Sequence, residues 1–322
     1  MSPSRPRNKC GVTNLDAVPT LSPRTCCGVY KFYKMKNYKK TFEQIVKSAL
    51  IEDRAFNDIT SDLTIPQNTN ISFEIKPREE IIFCGKEIIL AVFAELKKSK
   101  KFQDSKLDLK FFATDGNLVE VGKSIAHGQG EAKLIFAAER VVLNLIQHLS
   151  GVATITKKFV TKLNNKKIKI LDTRKTLPNL RALQKYAVTI GGGKNHRFNL
   201  SAMILIKDNH IAAAGNVEAA LKLAKESSQK LKIEIECDKF EQVVEAIKSK
   251  PDVIMLDNMK IAEIKKSIVL IRKNSAKTKI EISGGINLEN IKNFSALDID
   301  FISIGSLTHS ARAVDIGLDI VK

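Results

Sequence analysis

Residues 232–257 read KIEIECDKFEQVVEAIKSKPDVIMLD. A short apolar strand ends in polar residues, a helix follows, and a second apolar strand ends in an acid. The same unit recurs along the second half of the chain. Strands are expected at IKILDT (168–173), MILIKD (203–208), KIEIEC (232–237), DVIMLD (252–257), KIEIS (279–283) and FISIG (301–305), with helices such as NVEAALKLAKE between most of them. Asn216 stands at the N-cap of that helix. Strands alternating with helices at intervals of roughly 20–35 residues imply parallel β/α connections. Near-continuous apolar strands imply burial on both faces. The reading is α/β, a β/α barrel, complete or not. An open doubly wound sheet is the alternative.

Upstream the texture differs. FAAERVVLNLIQHLSGVATITKKFV, starting at Phe136, is a long helical pattern, expected to break near Gly151. Residues 71–134 read as strands and turns around a helix at about 86–98, whose Ile88, Ile89, Val92, Phe93 and Leu96 share one side. Before them, Phe42, Ile45, Val46, Ala49 and Leu50 form another helical stripe. Residues 1–34 show neither period and are rich in Pro, Ser, Cys and basic side chains. They read as a transit peptide, a disordered tail, or a mis-called start with Met35 as the true first residue. The prolines break any amphipathic transit helix, and the mis-called start is the preferred reading.

Composition narrows the class. Of 322 residues, 43% are hydrophobic and 27% charged, ordinary for a globular protein. No apolar run approaches the ~18 residues that span a membrane. Five cysteines, an odd number without metal spacing, support neither a disulfide framework nor a zinc site, so a reducing, cytoplasmic setting is expected. The net charge is +18, and residues 1–40 hold nine of the basic residues against Asp16 alone. Such a balance attracts nucleic acid or an anionic substrate, or simply reflects solvated lysines. Aromatics are only 6% and Trp is absent, which argues against the interleaved basic and aromatic face of a nucleic-acid binder.

In a β/α barrel the chemistry gathers at the C-terminal ends of the strands. Those ends carry Asp172-Thr173-Arg174-Lys175, Lys207-Asp208-Asn209-His210, Glu236, Asp257-Asn258, Ser283-Gly284-Gly285 and Gly305-Ser306. The loop GGGKNHR (191–197) adds Lys194, His196 and Arg197. Glycine-bearing turns after the last two strands suit a phosphate, because backbone N–H groups approach it closely there. The loop at 191–197 lacks the spacing of a P-loop or dinucleotide turn. It suits a carboxylate instead, since Arg binds carboxylates bidentately, and Arg174 with Arg197 suits two of them on one small planar molecule.

Taken together, NDITSD, AERVVLNLIQHLSGVAT, DTRKTLPNLRALQKYAV, GGGKNHR, LIKDNHI, IEIE, MLDN, EISGGI and IGSLTHS resemble the nicotinate-nucleotide pyrophosphorylase (quinolinate phosphoribosyltransferase) family of NAD biosynthesis, in family order over roughly 57–310. The resemblance implies an N-terminal α/β sandwich (35–134), an incomplete seven-stranded β/α barrel (135–308), and a C-terminal helix (309–322) packing back on the sandwich. VTIG (188–191) would be the strand missing from the count. It implies conversion of quinolinate and phosphoribosyl pyrophosphate to nicotinate mononucleotide, carbon dioxide and pyrophosphate, with Mg²⁺. Arg174, His196 and Arg197 would hold the quinolinate carboxylates, with Lys175 and Lys207 beside the substrates' anionic groups. Glu236 and Asp257 would serve the ribose and Mg²⁺. Ser283, Gly284, Gly285, Gly305 and Ser306 would hold the 5′-phosphate. Arg140 would reach into the neighbouring subunit's site, implying a homodimer, with larger assemblies left open. Asn57 and Asn199 stand where the family commonly has glycine, and Ala202 where it often has Asp, which puts the positioning of Lys207 or His196 in question. Rival readings are the paralogous protein linked to molybdenum transport and another phosphate-using barrel enzyme. Arg174, Arg197 and His196 together argue against the paralogue.

Overall fold

The structure is a computed structural model that describes residues 39–226 and 231–321. The expectations for residues 1–34 and Met35 fall outside the described residues.

The N-terminal part opens with α1 (Lys39–Glu52) and a single 3₁₀ turn, followed by α2 (Ile59–Thr64). Phe42, Val46 and Leu50 are buried. Burial of each contributes ~1.5–3 kcal/mol, well above the ~0–1 kcal/mol of an exposed ion pair, so packing sets the helix. Asp58 caps α2 by accepting the Ser61 N–H at 3.1 Å. Then come β1 (Asn70–Pro77), β2 (Ile81–Ile82), α3 (Lys86–Leu96), β3 (Leu107–Phe111), β4 (Leu118–Val119) and β5 (Ala126–Glu131). All five expected apolar positions of α3 are buried. Asp115 closes the start of this helix, accepting the N–H groups of Gly85 and Lys86 at 2.9 Å each.

A single helix, α4 (Ala132–Leu163, 32 residues), then runs through the position where a break is expected. Gly151 is not a breaker here. A Cβ at that position would collide with the main-chain oxygen of Arg312, so the missing side chain lets the C-terminal segment cross the helix at close range.

The remaining elements are β6 (Lys169–Leu171), α5 (Arg181–Ile190), β7 (Ile204–Ile206), α6 (Asp208–Ala214), α7 (Val217–Glu226), β8 (Ile233–Cys237), α8 (Phe240–Lys248), β9 (Val253–Asp257), α9 (Ile261–Asn274), β10 (Lys279–Ser283), β11 (Phe301–Ser303), α10 (Ser306–His309) and β12 (Ile316–Val321). Asn216 caps α7 by accepting the Ala219 N–H at 2.8 Å. Six of the strands form a parallel sheet in the order β6-β11-β10-β9-β8-β7. The strand order is not that of a doubly wound sheet: β7 to β11 are neighbours in chain order, and β6 lies beside β11 at the far edge from β7.

Two expectations fail. VTIG is not a strand, because Val188, Thr189 and Ile190 complete α5. The seat beside β6 is taken by Lys194, whose N–H donates to Ile170 O at 2.8 Å and whose carbonyl accepts from the Asp172 N–H at 3.1 Å. Nor is the C-terminal segment a helix. Ile316, Leu318 and Ile320 alternate with Gly317 and Asp319, the period of a strand, and β12 pairs antiparallel with β1, from Ser72↔Val321 to Pro77↔Ile316. It extends a sheet ordered β12-β1-β5-β3, so the final strand covers what would otherwise be an open edge of β1.

The parallel sheet is strongly curled. From the Lys194 seat to β8 is five strand steps, about 24 Å in a flat sheet at ~4.8 Å per step. Yet His196 Nε2 lies 3.2 Å from a Glu234 carboxylate oxygen on β8. Among the described residues no ladder joins β7 to the Lys194 seat.

Candidate active site

All six strands of this sheet run parallel, so their C-terminal ends share one rim. Asp172 to Lys175, Lys207, Glu236, Asp257, Ser283 to Gly285 and Gly305 to Ser306 all follow or close those ends. At this rim Lys207 forms an ion pair with Glu236. Asp257 lies opposite Ser283, and the Asn258 N–H donates to the Ser283 carbonyl at 3.0 Å. Asn258 Nδ2 donates to Asp257 at 2.8 Å. Across the rim, the Lys175 side chain lies close to Gly305, where an added Cβ would meet its Cδ at 3.1 Å. The Thr308 hydroxyl donates to the Lys175 carbonyl at 2.7 Å.

The cations are concentrated on one side. Arg197 is buried, and its Nη1 donates to Met203 O at 3.2 Å. Burial lowers its guanidinium from the ordinary value, and the nearby Arg174 charge lowers it further. Arg181, on α5, is lowered by burial and by Arg174 as well. It donates to Thr176 Oγ1 at 3.0 Å and to Phe198 O at 3.2 Å, bracing the segments that carry both other arginines. Arg174 Nε is buried with no hydrogen-bond partner. Arg181 and Arg197 thus both lie in the field of Arg174, which itself has a buried unsatisfied donor, and such a site is one that an anion would stabilise.

The glycine loop is held from beneath. A Cβ on Gly191 would collide with Ala153 O and meet Thr156 Cβ at 2.6 Å, so the loop lies directly on α4. Asp172 is wholly buried and holds the loop from the sheet side. It ion-pairs with the buried Lys185 and accepts from Asn195 Nδ2 at 2.6 Å and the His196 N–H at 2.8 Å. Burial raises the Asp172 carboxyl and lowers the Lys185 ammonium, each against the attraction of the other.

Two further expected site residues have other surroundings within this chain. The His196 ring turns to the concave face of the sheet. Its Nδ1 accepts the Arg197 N–H at 2.7 Å, and its Nε2 faces Glu234 at 3.2 Å and Glu281 at 3.6 Å. Burial lowers its pKa, against the pull of Glu281. Arg140 is exposed on α4. It lines a groove of about 680 Å³ with Glu52 and Asp53 of α1 and Pro178 to Leu180. For a metal, His196, Glu234 and Glu281 form the one trio among the described residues with ligand atoms within 4.8 Å of one another. Glu236 and Asp257 lie apart from it at the rim, on neighbouring strands.

The sequence model described as "Quinolinate phosphoribosyl transferase, C-terminal domain" matches residues 152–319, and its N-terminal counterpart matches residues 58–150. The chain belongs to the quinolinate phosphoribosyltransferase family. It is 43% identical over 288 residues to a probable nicotinate-nucleotide pyrophosphorylase (carboxylating) of Methanocaldococcus jannaschii, covering 87% of this chain and 97% of that one. It is 38% identical over 276 residues to the nicotinate-nucleotide pyrophosphorylase (carboxylating) of Mycobacterium leprae, covering 85% and 95%. Among solved structures, the nicotinate-nucleotide pyrophosphorylase from Francisella tularensis superposes with a TM-score of 0.81 at 33% identity, covering 92% of this chain and all of that one. The two matched regions meet at about residue 151, in the middle of the continuous helix α4, so one rigid element serves both halves.

Departures from the family pattern are locally compensated. Ala202 is exposed. Lys207 is held by Glu236 and the His196 main chain by Asp172 and Lys185, so neither needs an acid at 202. Asn199 accepts the Ser201 N–H at 3.2 Å and its hydroxyl at 3.0 Å, closing its own turn. Sequence reasoning passed over Lys185, Asn195, Arg181, Glu234 and Glu281. The two acids carried a usable signal: a charged residue inside an otherwise apolar parallel strand needs a partner in the interior.

Proposed function

We propose that this chain transfers a phosphoribosyl group to quinolinate, yielding nicotinate mononucleotide, carbon dioxide and pyrophosphate. The observation that carries this reading is the cluster of Arg174, Arg181 and Arg197 at the rim of a sheet whose family match spans both halves of the chain. We read the curled sheet, with Lys194 in its seventh seat, as an incomplete seven-stranded β/α barrel with this mouth as its active site.

The pyridine nitrogen attacks the anomeric carbon, and the bond to pyrophosphate breaks with its electron pair leaving on oxygen. Positive charge grows on the ribosyl group, beside the carboxylates of Glu236 and Asp257. Negative charge grows on the leaving group, beside Lys175 and Lys207. The C2–carboxylate bond then breaks, its electrons remain on C2 next to the cationic ring nitrogen, and a proton completes the product. No protein nucleophile is required, and positioning supplies much of the rate. Arg174 and Arg197 bind the two carboxylates. The Ser283–Gly285 and Gly305–Ser306 turns take the 5′-phosphate on backbone N–H groups. Glu236 and Asp257, oxygen donors on neighbouring strands, suit Mg²⁺, which binds through one or two carboxylates plus substrate phosphates and would neutralise pyrophosphate charge. His196, as it stands, contributes by shaping the loop rather than by offering a free ring nitrogen to a carboxylate.

We further read the protein as a homodimer in which Arg140 crosses to the partner's site, acting in the cytoplasm. Among the described residues no helix is long and apolar enough to cross a membrane. The assay is direct: protein, quinolinate, phosphoribosyl pyrophosphate and Mg²⁺, with nicotinate mononucleotide followed by chromatography. Well-folded protein that makes no product would overturn the reading. Product formation from nicotinate as sole acceptor would reassign the substrate.

A further inference from the structure

Gln184 and Lys185, adjacent on α5, are both wholly buried. Neither takes part in the chemistry above. A buried lysine–aspartate pair is a poor way to gain stability, because apolar residues of similar volume commonly serve as well. What the two side chains hold accounts for them better.

Lys185 Nζ donates to the Asp172 carboxylate and to the His196 carbonyl at 3.0 Å. Asp172 accepts the His196 N–H. The main chain at residue 196 is therefore gripped on both its N–H and its C=O, one residue before Arg197. Asn195 Nδ2 ties the same loop to Asp172 and, at 2.8 Å, to Lys185 O. Beyond the single bridge at Lys194 this segment has no ladder to β6, so side chains do what strand pairing does elsewhere.

Gln184 works on the other arm of the mouth. Its Oε1 accepts the Leu177 N–H at 2.9 Å, two residues past Lys175. Its Nε2 donates to Thr308 O at 2.8 Å, two residues past Ser306, and lies 2.9 Å from His148 Nε2. Successive helical residues point about 100° apart, so one helical step lets α5 reach two loops.

We propose that Lys185 and Gln184 are positioning residues for different substrates: Lys185, through Asp172 and Asn195, aims the Arg197 arm at the dicarboxylate, and Gln184 holds the Lys175 and Gly305–Ser306 arm for the phosphoribosyl donor. This rests on the reaction proposed above. The two contributions are separable because the two hydrogen-bond sets share no acceptor.

The test is steady-state kinetics on the full chain, varying each substrate with the other saturating, for Lys185→Met, Asn195→Ala and Gln184→Leu. Circular dichroism and thermal melts check the fold of each. Asn195→Ala leaves the ion pair in place and decides the dicarboxylate arm even where Lys185→Met does not fold. Lys185→Met and Asn195→Ala are expected to raise the KM for quinolinate about tenfold or more, with that for phosphoribosyl pyrophosphate changed by less than about twofold, and Gln184→Leu the reverse. Equal shifts in both KM values, or a fall in kcat alone, would overturn the inference while leaving the activity intact. An inactive wild type would overturn the proposed function instead.

Discussion

Gly284 and Gly285 are neighbours with left-handed φ angles of +87° and +62°, yet replacing each by alanine should have different consequences. Left-handed backbone costs an L-residue ~1–2 kcal/mol, and both variants carry that term. At Gly285 an added Cβ meets nothing within 4 Å, so strain is the whole effect. At Gly284 it would collide with the Asn258 side-chain amide and lie 2.8 Å from the Asn258 main-chain nitrogen. That nitrogen cannot retreat freely, because its N–H donates to Ser283 O at 3.0 Å. Forcing a methyl into such a contact costs a further ~1–3 kcal/mol. At ~2–4 °C per kcal/mol for chains of this order, Gly284→Ala should melt roughly 2–12 °C below Gly285→Ala. Because the displaced segment begins at Asp257, Gly284→Ala should also raise the KM for phosphoribosyl pyrophosphate more than Gly285→Ala does. Differential scanning calorimetry and initial rates measure both quantities. Equal melting temperatures, or Gly285→Ala as the less stable variant, would show that the close approach to Asn258 is not a real constraint.

Further expectations follow from other parts of the molecule. Arg197→Ala should raise the KM for quinolinate roughly 10- to 100-fold, the value of one lost charge-assisted contact, and affect phosphoribosyl pyrophosphate far less; equal losses would contradict the carboxylate assignment. At quinolinate concentrations well below the raised KM values, mixing Arg140→Ala and Arg197→Ala chains should give more activity than either alone if Arg140 acts across a dimer interface, and no recovery after subunit exchange would sink that assignment. His148 and His196 both sit below the ordinary histidine value because of burial. The native state therefore binds fewer protons than the unfolded chain once pH drops below ~6.5, so their contribution to stability is full above that pH and is lost on acidification. Thermal melts between neutral and mildly acidic pH should show this, His148→Gln should flatten the slope, and a melting temperature that climbs on acidification would refute it. Deleting β12 should expose the β1 edge and remove the Arg78–Asp319 ion pair; a truncated chain as soluble and stable as the full one would show that the strand is dispensable.

Much of the parallel sheet was legible in the sequence because its signals are local. Apolar runs of strand length, punctuated by helices, place the rim residues at strand ends without any coordinates, and the arginines, lysines and glycines of the mouth follow from that placement. What was misread depended on partners distant in the chain. Gly151 looks like a helix breaker until Arg312 is seen crossing it. VTIG is expected as a strand from the family resemblance, but α5 continues through it, and Lys194 takes the seat on β6.

The sequence alone determined the six parallel strands of the second half, the placement of charged and glycine residues at their ends, and the family to which the chain belongs, since each is written in nearest-neighbour periodicity and residue type. Only the tertiary structure decided where His196 points, why Lys185 is buried, and that the C-terminus is a strand. Those outcomes are fixed by contacts between residues far apart in sequence: Asp172 with Lys185, His196 with Glu234, β12 with β1. Each is a polar contact or strand pairing whose partner cannot be named until the chain has folded and brought it within reach.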